Sequence, residues 1–95
     1  MKTEQIKTFA TKLIEEASLL QQRVKEYYND ENDELALFLR GIAEDLENLD
    51  REKLRGDRVG IYRVVSDAPT LEKSELGKDL YAFNGRLKEL IAMLE

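Results

Sequence analysis

Val59-Gly60-Ile61-Tyr62-Arg63-Val64-Val65 is the stretch whose reading decides the fold. By residue type it is a strand, because β-branched and aromatic side chains crowd it. By spacing it is a helix. Arg58, Ile61, Tyr62 and Val65 fall at i, i+3, i+4 and i+7, one face of a helical period. A strand here would also lack a partner, and a lone strand is not stable. The spacing therefore predicts a short helix from about Asp57 to Ser66, with Gly56-Asp57 as the stop of one helix and the cap of the next.

The flanking segments are helical by the same test. From about Thr3 to Tyr28, Ile6, Ala10, Leu13, Ala17, Leu20, Val24 and Tyr27 recur in alternating steps of 4 and 3, with Phe9, Ile14 and Tyr28 widening the stripe. Thr3 is the expected N-cap. Asn29-Asp30-Glu31-Asn32-Asp33-Glu34 is a turn in which Asp30 or Asn32 can cap the next helix. That helix carries Leu35, Leu39, Ile42, Leu46 and Leu49, flanked by Phe38 and Ala43. Gly41 inside it costs about 1 kcal/mol relative to Ala. Asp67-Ala68-Pro69-Thr70 breaks the chain again. The last helix is expected from about Leu71 or Lys73 to Leu94, with Leu76, Leu80, Phe83, Leu87, Leu90 and Leu94 on its seam and Ile91 beside it. Gly77 and Gly85 there suggest close helix contact.

These readings predict an all-α protein. It is an antiparallel four-helix bundle of three long amphipathic helices and one short third helix, in one domain over residues 1–95. The expected core is Leu13, Leu20, Leu39, Ile42, Leu46, Leu80, Phe83, Leu87 and Leu90. The flanking residues Phe9, Ile14, Phe38 and Ile91 leave an apolar strip on which a homodimer can form.

Composition narrows the function. The 95 residues are 42% apolar and 37% charged, with a net charge of -5. An acidic chain does not suit direct nucleic-acid binding, which relies on a basic field. There is no cysteine and no histidine, so disulfides, thiolate chemistry and the imidazole base are excluded. No apolar run approaches the roughly 20 residues of a membrane span, so no membrane insertion is expected. The expectation is a soluble, cytoplasmic protein without a cofactor or metal.

Two resemblances bear on function. In plan and size the chain resembles the small bacteriocin immunity proteins, which implies binding to another protein and neutralising it. The glutamates Glu15 and Glu16 on an amphipathic helix resemble those of the MazG-type nucleotide pyrophosphohydrolases. That family pairs Glu-x-x-Glu on one helix with Glu-x-x-Asp on the next to hold Mg²⁺. Here Ser18 stands three residues after Glu15, Leu19 after Glu16 and Leu37 after Glu34. Glu44 with Glu47, and Glu31 with Glu34, have the first spacing without its mate. A metal-carboxylate hydrolase is therefore the alternative to an interaction protein.

Charge patterning favours the interaction protein. From Glu26 to Asp50 nine acids face only Arg40, and the stretch lacks the spacing of a calcium-binding loop. Residues 51–63 reverse the sign. Arg51, Lys53, Arg55, Arg58 and Arg63 stand against Glu52 and Asp57, a net +3 that leaves -8 on the other 82 residues. Arginine suits bidentate carboxylate contacts and interface hot spots, and Tyr62 adds an aromatic anchor. The expected partner-binding residues are Arg51, Arg55, Arg58, Tyr62 and Arg63, with Tyr62 half-buried and Arg55 and Arg63 exposed and unpaired. Tyr28 and Tyr81 lie off the narrow seams and are further surface candidates.

Overall fold

Five helices account for the secondary structure in a computed structural model that describes residues 2–95: α1 (Lys2–Tyr28), α2 (Glu34–Asn48), α3 (Arg51–Ser66), α4 (Pro69–Lys73) and α5 (Glu75–Met93). No strand occurs among the described residues. The stretch Val59–Val65 is helical, as its spacing requires.

Of the predicted stripe of α1, Ala10, Leu13, Ala17, Leu20 and Val24 are buried and Ile6 is half-buried, whereas Tyr27 at the end of the helix is exposed. Thr3 lies inside this helix rather than capping it. A 27-residue helix is about 40 Å long, and α1 spans the 41 Å long axis of the molecule. The cap of α2 is Asp33, not Asp30 or Asn32. Its carboxylate accepts the Leu35 and Ala36 amides at 2.9 and 3.2 Å. α2 ends where Leu49 adopts left-handed backbone, φ 49°, and its amide bonds back to Leu46.

The short third helix is a correction. α3 has 16 residues against 15 in α2, and Gly56-Asp57 does not interrupt it. Asp50 caps it from the other side of the basic run, accepting the Lys53 amide at 3.2 Å. Leu54, Ile61 and Val65 form one buried stripe across the supposed break. Gly56 faces open space, so the glycine weakens the helix without ending it. The short helix is α4, with five residues and Pro69 in its first turn. Ser74 separates it from α5 and accepts the Gly77 amide at 3.1 Å, so the last long helix starts at Glu75 rather than at Leu71 or Lys73.

α1 packs on α2 and α5, and α3 packs on α5 and α2, while α4 lies against α3 and α5. α5 runs antiparallel to both α1 and α3. Glu16 meets Arg86 and Arg23 meets Asp79 between α1 and α5. Arg55 meets Glu95 and Tyr62 meets Tyr81 between α3 and the α5 end of the chain. All nine expected core side chains are buried, joined by Leu54, Ile61, Val65, Leu71 and Leu76. Of the strip expected to self-associate, Phe9, Ile14 and Phe38 are partly buried against the core, and Ile91 belongs to it.

Candidate docking face on α3

The stripe that buries Leu54, Ile61 and Val65 turns the opposite side of α3 to solvent. Val59, Tyr62 and Arg63 are exposed there, Val59 by 46% and Tyr62 by 60%. Tyr62 is thus more exposed than its sequence position predicts. Its ring lies 6.1 Å from that of Tyr81 on α5, tilted by 42°. The Tyr81 hydroxyl donates to Glu72 of α4, and this bond is the main reason its phenol is pushed up to about 12. Tyr81 is half-buried and backs Tyr62 instead of standing free.

The five expected partner-binding residues separate into two groups. Arg51 is 3.4 Å from Glu52. Arg55 pairs with Glu52 at 3.6 Å and with Glu95 beyond α5, so it is exposed but not free. Arg58 is half-buried, with its Nε out of solvent and without a hydrogen-bond partner. Arg58 and Arg63 make no ion pair among the described residues. Arg58, Val59, Tyr62 and Arg63 stand at i, i+1, i+4 and i+5, which gathers them into one compact quartet on the helix surface. Val59 was missed by sequence reading. The signal was present: a β-branched residue five positions after Leu54 falls away from the buried stripe.

Asp57, half-buried on α3, has its carboxyl raised to about 8, first by burial and then by the neighbouring carboxyl of Asp45 on α2. Asp50 adds repulsion and Lys53 opposes it. Burial and the neighbouring Asp45 thus disfavour the charged form of the Asp57 carboxyl.

The carboxylates of the alternative reading do not gather. Glu15, Glu44 and Glu47 are exposed, and Glu16 is held by Arg86, whose Nε lies 2.9 and 3.0 Å from the two carboxylate oxygens. No group of three acidic side chains suited to a metal occurs among the described residues. A groove of about 420 Å³ lies between α1 and α5, lined by Leu19 and Leu20 and bounded by the Arg23–Asp79 and Arg86–Glu16 pairs. No described helix is long and apolar enough to cross a membrane. Comparison with protein-family models, curated proteins and solved structures finds no match to this chain.

Proposed function

We propose that this chain is an interaction protein that binds another protein in the cytoplasm and neutralises or escorts it, as a bacterial immunity protein or phage-type inhibitor does. The docking surface is the outward face of α3, with Arg58, Tyr62 and Arg63 in contact and Arg51 and Arg55 at the rim. The observation that carries this reading is Tyr62, a large aromatic side chain 60% exposed beside an arginine with no ion-pair partner. Folding gains little from either group in that position. Tyrosine and arginine are the residues that most often concentrate binding energy when a partner covers them.

The test is the double variant Tyr62→Ala/Arg63→Glu, expressed in the cells that make the protein. Native mass spectrometry of the purified wild-type chain is expected to show a defined complex with one other protein. The variant is expected to keep the wild-type melting temperature and to lose that complex. A variant that melts normally and retains the complex places the binding surface elsewhere.

A further inference from the structure

Resting on that docking reading, we infer that the occupant of the α3 face is an acidic helix of the partner, whose carboxylates bracket one apolar side chain. Charge complementarity selects the occupant. Residues 51–63 carry a net +3 on a chain whose other 82 residues carry -8. The long-range field of the whole molecule repels an extended polyanion such as duplex DNA. A local acidic patch that reaches only α3 meets the attractive part of the field, since exposed charges beyond about 10 Å are screened.

The layout of the quartet specifies the rest. Val59 and Tyr62 form an apolar centre, and Arg58 and Arg63 stand at its two ends without carboxylate partners. Helix geometry puts the Cα atoms of residues 58 and 63 about 9 Å apart. Two carboxylates between one and two turns apart on a partner helix, about 6 to 10 Å, match that span. An apolar residue between them reaches Val59 and the edge of Tyr62, which Tyr81 supports from behind at 6.1 Å. The face offers no open strand edge, because its backbone is helical throughout, so recognition runs through side chains. Arg55 has its own carboxylate in Glu95, so the two unpaired arginines carry the selectivity.

Nuclear magnetic resonance titration of the full ¹⁵N-labelled chain tests this. The probes are three synthetic ligands: a helical peptide with two glutamates seven residues apart and leucine midway, the same peptide with both glutamates replaced by glutamine, and a short DNA duplex. The acidic peptide is expected to shift the amides of Arg58–Arg63, to bind at least tenfold more tightly than the glutamine peptide, and to weaken at least tenfold when salt is raised from 50 to 500 mM. Arg63→Glu, at an exposed position, should remove most of that preference. Arg58→Gln, gentler on a half-buried residue, should remove part of it. Equal binding of the two peptides at α3 overturns the acidic chemistry and leaves the docking face standing. Shifts confined to other helices, or none at millimolar peptide, overturn the acidic helix and the docking face together. Tighter binding of the duplex than of the acidic peptide overturns the choice of a protein occupant.

Discussion

The carbonyl oxygen of Leu71 lies 2.0 Å from the point where a side chain at Gly77 would place its Cβ, and the Cα and carbonyl oxygen of Glu72 lie 2.9 Å from it. These are backbone atoms of α4, so they cannot swing aside. α4 is seated on α5 through this missing side chain.

Gly77→Ala must therefore push α4 off α5 or distort it. Overpacking typically costs about 1–3 kcal/mol, and a backbone obstacle places this case at the upper end. Gly85→Ala is the control, because nothing lies within 4 Å of its Cβ position. It should gain up to about 1 kcal/mol from helix propensity. Urea midpoints that move in opposite directions for the two variants bear out the seating. Parallel shifts refute it.

Leu46 and Leu87 are buried to within 1% of full coverage. Truncation to alanine at either removes transfer energy and leaves a cavity, at a cost of about 2–5 kcal/mol. Chemical denaturation should show that loss as a lower midpoint with an unchanged slope.

Asp57 gives the protein a pH dependence of calculable sign. In the folded chain its carboxyl holds a proton up to about pH 8, against an ordinary value of 3.8. Between those values the folded state retains a proton that the unfolded chain has released, so stability falls as pH rises through the window and levels off above it. The slope from one such group cannot exceed about 1.4 kcal/mol per pH unit, and solvent around a half-buried side chain makes it smaller. Asp57→Asn should flatten the profile between pH 5 and pH 8 and be more stable than wild type at pH 8. Identical profiles for the two chains would count against the burial of this carboxyl.

The ion pair of Arg55 with Glu95 joins two half-exposed side chains, and solvent screens such pairs so strongly that they add little to folding. Arg55→Glu combined with Arg63→Glu should accordingly leave the thermal midpoint nearly unchanged. A drop of many degrees would make these arginines structural.

Much of this architecture was legible because apolar spacing reports burial directly. Leu13, Leu39, Leu80 and Phe83 sit on stripes of steps 3 and 4, and all are buried. The beginning of α3 was not legible, because glycine followed by aspartate has the local chemistry of a helix end. Burial of Leu54, Ile61 and Val65 on α5 and α2 outweighs that local preference. α4 escaped for a related reason: Leu71 to Lys73 read as the first turn of the last helix, because no glycine or proline at Ser74 marks the break that divides them. On the candidate face, the sequence reported charge and residue type correctly but not pairing. Arg55 and Arg58 differ by three positions, yet one reaches Glu95 and the other turns toward the core edge. Which arginine is satisfied depends on where the residues after α5 return, and that is a property of the packed helices.

Site-specific photo-crosslinking tests the docking face most directly. An aromatic crosslinking residue, which keeps a ring at position 62, is placed there, at position 19 beside the α1–α5 groove, or at position 37 on the exposed side of α2, all three being exposed side chains. On irradiation in cells, position 62 should give one protein adduct that disappears with Arg63→Glu, and positions 19 and 37 should give none. An adduct from position 19 or 37 with none from position 62 would contradict the assignment of α3 as the binding surface.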